Sequence, residues 1–206
     1  MRRAAYALAF LLLALGAWQI GQGAWIHAKA ALAQVLIKRA WAEGRTDQPA
    51  RPWPWADTFP VARLTVPALG VDQIVLAGAS GRTLAFGPGH MDGTAMPGEP
   101  GLTVISGHRD THFEFLRALK ADQIIVLTDA AGSAHRFRVT GGHVVDADKV
   151  GLDTTGDMPR LALVTCYPFD AAGAGSPLRY VVFAEAEAET LDAAHSPIAI
   201  PGPPPI

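Results

Sequence analysis

Residues 160–186 read RLALVTCYPFDAAGAGSPLRYVVFAEA. Two apolar runs, RLALVTC (160–166) and LRYVVFAEA (178–186), flank a segment rich in Ala, Gly and Pro, the pattern of two strands joined by a loop. The first run closes on Cys166, the only cysteine of the chain, and the second opens on Arg179. A lone cysteine excludes an internal disulfide, a C-x-x-C motif and a zinc-type cysteine set. Most free cysteines are buried and inert, so its position alone leaves two roles open: small core residue or nucleophile.

The same short, turn-bounded runs recur upstream. Strands are expected at VARLTV (61–66), QIVLAG (73–78), LTVISG (102–107), QIIVLT (123–128) and HRFRVT (135–140), with a further short one near TLAF (83–86). In HRFRVT charged and apolar residues alternate, as in a strand with one buried face. FEFLRALKADQ (113–123) fits the one clear helix. About eight short strands with little helix predict a mainly β fold, an eight-stranded and closed or nearly closed barrel that hides its own edges. GPGHMDGTAMPGEPG (87–101) and AAGAGSP (171–177) are long loops of the kind that often carry function.

Outside the barrel the chain divides into three parts. Residues 1–44 contain a long apolar run from Ala4 to Trp25 preceded by Arg2 and Arg3, then an amphipathic stretch, AALAQVLIKRAW. Roughly 20 apolar residues suffice to cross a bilayer as a helix, and flanking arginines favour the cytoplasmic side. The expectation is a signal-anchor and stalk helix; a cleaved signal peptide ending near Ala28-Lys29-Ala30 is the alternative. Both put the barrel outside the cytoplasm. Residues 45–60 read as a Pro-rich linker whose Trp53 and Trp55 pack on the barrel edge, residues 61–187 as the barrel, and residues 188–206 as a Pro-rich tail. A net charge of −2 from 17 basic and 19 acidic residues offers no basic face for nucleic acid.

A working thiol needs a basic or cationic neighbour, because at its reference pKa near 8.5 it is only a few per cent thiolate at neutral pH. Of the seven histidines, His108 follows an apolar strand ending in glycine and can face a groove at the barrel mouth. His112 completes HRDTH, but the glutamate of a zinc-protease HExxH is missing, so no metal is assigned. His90 lies in the Gly/Pro loop and is a candidate lining residue; His135 and His143 read as surface strand positions. Arg179 is either a rim ion pair or a fixed donor for a developing oxyanion.

Taken together, SGHRDTHF (106–113), LVTC (163–166) and SPLRY (176–180) resemble the sortases, with 58 residues from His108 to Cys166 and 13 from Cys166 to Arg179. The N-terminal apolar segment, PWPWADTFPVARLTVP, GASGRTLAFGPGH and GHRDTHF resemble more closely the Gram-negative branch, class GN or marine proteobacterial sortases. The resemblance implies a cysteine transpeptidase that cleaves an LPXTG-like C-terminal sorting signal between Thr and Gly through a thioacyl-enzyme. An amine nucleophile then takes the acyl group, and no cofactor is called for. It also implies that Cys166 is the nucleophile, His108 the general acid and base, and Arg179 the substrate and oxyanion ligand, with Thr165 completing the substrate site. By the same analogy the enzyme sits in the inner membrane, single-pass, with its catalytic domain in the periplasm. An L,D-transpeptidase is disfavoured because its cysteine follows H-G. A tethered, non-catalytic binding barrel remains the alternative from another class.

Overall fold

The computed structural model describes residues 2–44, 48–171, 173 and 175–187. Eight strands form a closed barrel: β1 (Pro60–Val66), β2 (Val71–Ala77), β3 (Gly89–His90), β4 (Gly101–Ser106), β5 (Ile124–Asp129), β6 (Ala134–Asp146), β7 (Pro159–Cys166) and β8 (Leu178–Ala186). Their order around the barrel is β1-β2-β3-β4-β7-β8-β6-β5. Neighbours pair antiparallel except β2 with β3 and β4 with β7, which are parallel. A parallel pair cannot be joined by a tight hairpin. The chain therefore leaves β4, builds β5 and β6 on the far side, and returns as β7 beside β4. That return brings the His108 and Cys166 segments, remote in sequence, to one end of the barrel.

Alternation along the strands separates two apolar layers. The inner layer fills the barrel with Leu64, Val66, Val75, Ile105, Ile125, Leu127, Phe137, Leu161, Leu163 and Val182, all at most 1% exposed. The outer layer is smaller: Leu102, Val104, Ala162 and Val181 on the opposite face of β4, β7 and β8, with Leu152, Val145, Val164 and Phe183 against them.

Local chemistry explains the turns. Between β1 and β2, Pro67–Leu69 forms a 3-10 turn closed by Gly70 in the left-handed region, at φ 64°. Between β5 and β6, Asp129 Oδ1 accepts from the backbone N–H of both Ala131 and Ser133 at 2.9 Å, a side chain standing in for a turn hydrogen bond.

The expected strand at TLAF is instead a helical turn, α2 (Gly81–Leu84), following the 42-residue α1 (Arg2–Glu43). Ser80 caps α2, its Oγ accepting from Thr83 N at 3.2 Å, so Ser80 starts a helix where a strand was expected. The missing strand is the two-residue β3. The expected helix over 113–123 reduces to a 3-10 turn, Glu114–Arg117. Phe113, Leu116 and Leu119, the buried residues here, are spaced three apart, which suits 3.0 rather than 3.6 residues per turn. The HRFRVT strand continues to Asp146, with a bulge between Val139 and Gly141. On it His143 is exposed, but His135 is not a free surface residue: its Nε2 lies 2.9 Å from Asp129 Oδ2.

The second half of α1 lies on the β1–β2 side of the barrel. Ala33, Ile37 and Ala40 are buried one turn apart, and Gln34 Nε2 donates to Phe86 O at 2.6 Å. In the first half, Phe10, Leu13, Trp18 and Ile20 are each at least 65% exposed. The expected membrane-crossing segment is not borne out: among the described residues no helix is long and apolar enough to cross a membrane. Gln19 and Gln22 interrupt the apolar run, and His27 and Lys29 follow directly after it. In the segment before β1, Trp53 packs edge-on against Phe86 with centroids 5.1 Å apart, whereas Trp55 is 82% exposed. The Pro-rich tail, 188–206, lies outside the described residues.

Candidate active site

Strand register assembles the site. On β7 and β8, Cys166 pairs directly with Arg179, and Thr165 with Tyr180. Directly opposed residues of an antiparallel pair project to the same face, so Cys166 and Arg179 share one side of the sheet. On the other flank, β4 pairs in parallel with β7 up to Ser106 opposite Val164, and Gly107 N continues the ladder by donating to Val164 O at 3.1 Å. The pairing ends there, and the His108 segment leaves β4 immediately beyond it, on the flank of β7 that carries Cys166. Adjacent strands lie about 4.8 Å apart. Cys166 thus has the His108 segment on one side and Arg179 on the other.

By alternation, Cys166 continues the outward row Ala162-Val164, so it belongs to the outer face and not to the barrel core. It is exposed, and so is His108. Their position makes the core reading of the cysteine untenable. Arg179 is half-buried, and its Nη1 donates to Ser176 O at 2.7 Å and Leu178 O at 2.9 Å. Those two bonds hold the guanidinium against the strand, while the described hydrogen bonds leave Nε and Nη2 uncommitted.

Thr165 faces the other way. It is 2% exposed, and its Oγ1 donates to Gly107 O at 2.7 Å. Its side chain takes a positioning role: the hydroxyl pins the residue before His108 to the residue before Cys166. Gly107 itself is dictated by packing, since a Cβ there would meet the Phe113 ring at 2.7 Å. The Phe113 ring closes under the turn, and Phe113 N donates to His108 O at 3.0 Å. His90 does not join the cysteine. It is buried, with Nε2 3.0 Å from Ala95 O and 3.2 Å from Thr94 Oγ1, and it serves the fold of its own loop.

Arg109 carries no signal of its own in the sequence, because an Arg-Asp pair after a strand end reads as solvated charge. It is nevertheless 8% exposed. Its Nε and Nη2 donate to the two carboxylate oxygens of Asp110, at 2.7 and 3.0 Å. Nη1 donates to Pro168 O at 2.7 Å and Nη2 to Ala171 O at 3.0 Å. The guanidinium holds the Asp110 carboxyl below its usual range, chiefly through these hydrogen bonds. Below the cysteine, Tyr167, Phe169 and Tyr180 form an aromatic cluster with centroids 5.2–6.4 Å apart. Arg117 covers Phe169 at 5.2 Å.

His112 is half-buried on the far side of the His108 turn, and burial first, then the neighbouring His108, lower its pKa below the ordinary value. It lines a cavity of about 370 Å³ between α1 and the β1–β2 edge, together with Lys38, Trp41, Arg63 and Asp72. That cavity is separate from Cys166 and Arg179, which line an open surface. Among the described residues no group of three or more His, Cys, Asp or Glu side chains is placed to hold a metal ion.

The Sortase domain family matches residues 64–187, more than half of the chain and nearly the whole barrel. The chain belongs to the sortase family. Sortase D of Bacillus subtilis is 31% identical over 122 residues, covering 58% of this chain and 60% of that protein, so the chain spans less than two thirds of this relative's length. A sortase D5 transpeptidase of Clostridium perfringens is 25% identical with a TM-score of 0.55, over 63% of this chain and 80% of that one. Sortase C-1 of Actinomyces oris is 29% identical with a TM-score of 0.56, over 63% and 75%. Sortase A of Corynebacterium diphtheriae, at 21% identity, shares the fold over 79% of this chain and 85% of that one, with a TM-score of 0.59. The sortase barrel is therefore the frame on which Cys166, His108 and Arg179 stand.

Proposed function

We propose that this sortase is a cysteine transpeptidase acting on an LPXTG-like C-terminal sorting signal, with Cys166 as nucleophile, His108 as general acid and base, and Arg179 as oxyanion and substrate ligand. The observation that carries the reading is the strand register: Cys166 on the exposed outer face with the His108 segment on one flank and Arg179 on the other.

The chemistry follows from those positions. The Cys166 thiolate attacks the carbonyl carbon of the scissile peptide, and the oxyanion that develops meets the free donors of Arg179. His108, as imidazolium, gives its proton to the departing amine nitrogen as the C–N bond breaks and a thioester forms. An incoming amine then attacks the thioester carbonyl and gives a proton to His108. The C–S bond breaks, a new amide forms, and the thiolate and imidazolium are restored. The outer-face residues Val164, two positions before Cys166, and Val145, paired with Arg179, suit the hydrophobic residues of such a signal.

The Gram-negative subclass belongs to the same proposal, supported by GASGRTLAFGPGH and GHRDTHF. So does attachment to the inner membrane with the barrel in the periplasm. The exposed apolar side chains of α1 favour contact with a lipid phase. Cell fractionation with a carbonate wash, and protease accessibility in spheroplasts, test that attachment. The catalytic reading is tested with the full chain, an LPXTG-type peptide and an amine such as triglycine. Cleavage and the transpeptidation product are expected, and both are lost in Cys166→Ala with the melting temperature unchanged. Cleavage that survives in Cys166→Ala overturns the reading.

A further inference from the structure

We propose that Arg109 is a positioning residue for the reaction at Cys166, acting by fastening the segment that follows the cysteine to the segment that carries His108; the inference rests on the transpeptidase reading above. Arg109 is the next residue after His108, so whatever fixes its backbone fixes that of the histidine. Its guanidinium reaches 59 residues along the chain to Pro168 O and 62 to Ala171 O. Those carbonyls lie two and five residues after Cys166 and begin the connection to β8 and Arg179. One side chain therefore ties together three stretches: the His108 turn, the exit from Cys166 and the start of the loop leading to Arg179.

The contact is built for arginine. Asp110 takes Nε and Nη2 as a parallel pair and orients the fork, and Nη1 and Nη2 then point at two separate main-chain carbonyls. A lysine ammonium could replace the charge, but its three donors cannot hold a carboxylate edge and two carbonyls in this planar arrangement. Because the loop partners are main-chain atoms, the fastening depends on Arg109 and not on the loop's side chains. The guanidinium itself is largely withdrawn from solvent. Thr165 makes the shorter-range version of the same link, from inside the barrel to Gly107. Between them the two contacts set how far the imidazole stands from the sulfur, a separation on which proton transfer depends steeply: misplacement of a reacting group by about 1 Å can cost about a hundred-fold in rate.

Arg109→Lys and Arg109→Ala in the full chain test this with two readouts. The first is amide hydrogen exchange across Phe169–Ala171, which needs no substrate. Exchange there should rise in both variants while the strands β1, β2 and β5 keep their protection. The second is peptide cleavage, where kcat should fall about a hundred-fold with a much smaller change in KM, and lysine should not rescue it. Unchanged exchange in Arg109→Ala would show that the guanidinium holds nothing. Arg109→Lys with kcat within about two-fold of the parent would show that charge alone suffices. Loss of folding in both variants would make Arg109 a residue of the barrel and also overturn the assignment. If the parent cleaves no sorting peptide, the transpeptidase reading fails, and the exchange data still decide whether Arg109 fastens the loop.

Discussion

Of the three Gly-His dipeptides in the chain, two stand on neighbouring strands with opposite outcomes. Gly89-His90 makes up β3, and Gly107-His108 extends β4, against which β3 pairs. His90 is buried and its ring is spent on Ala95 O and Thr94. His108 is exposed, its backbone carbonyl is fixed by Phe113 N, and among the described residues its ring carries no hydrogen bond. One histidine closes a loop; the other is left free at a place where the backbone is held from three sides. The contrast teaches that an available imidazole on an over-determined backbone, more than a histidine in a glycine-rich loop, marks the chemistry.

The contrast can be broken by exchanging costs. His108→Ala should lower peptide cleavage by about 10²–10⁴-fold, the usual contribution of a general acid–base group, with an unchanged thermal melt. His90→Ala should do the reverse. Leaving the half-buried Ala95 carbonyl without this partner should cost about 1 kcal/mol in a denaturant titration, while the folded fraction keeps its kcat. Equal loss of activity in both variants would erase the distinction. Thr165→Val sharpens it further: removing the donor to Gly107 O should cost about 1–2 kcal/mol and lower kcat, with Thr165→Ser restoring both.

The smallest effect concerns pH. Burial and His108 lower the pKa of His112 in the folded chain, so the unfolded chain binds that proton more readily. Stability from the neutral ring is therefore full above its unfolded pKa of about 6.5 and falls as pH drops through the window below it. His112→Gln should flatten the stability–pH curve in that window, measured by melting from pH 7.5 to 5. An identical slope in parent and variant would show that His112 is not the group responsible.

Much of the barrel was legible in the sequence because its strands are short, apolar and bounded by turn residues. Failures came where local pattern and packing disagree. TLAF reads as β-branched and aromatic, yet the Ser80 cap turns it into α2. FEFLRALKADQ has helical composition, but its buried residues recur every three positions and follow the barrel end as a 3-10 turn. At the site, Cys166, His108 and Arg179 were legible as strand-end residues, and tertiary pairing of β4, β7 and β8 was needed to set them side by side. The inward turn of Thr165 follows from strand alternation once Cys166 is known to face out. His90 was misread because exposure of a loop residue is a property of the fold, not of its neighbours in sequence. Arg109 was invisible for the same reason: its partners, Pro168 and Ala171, are main-chain atoms 59 and 62 residues away.

The most direct test of the central claim is intact mass spectrometry of the full chain after mixing with an LPXTG-type peptide, without an amine acceptor. A single adduct equal to the peptide fragment ending in Thr is predicted, located on Cys166, absent in Cys166→Ala and discharged when an amine is added. Peptide cleavage with no adduct on Cys166, or undiminished cleavage in Cys166→Ala, would contradict the thioacyl mechanism assigned to this site.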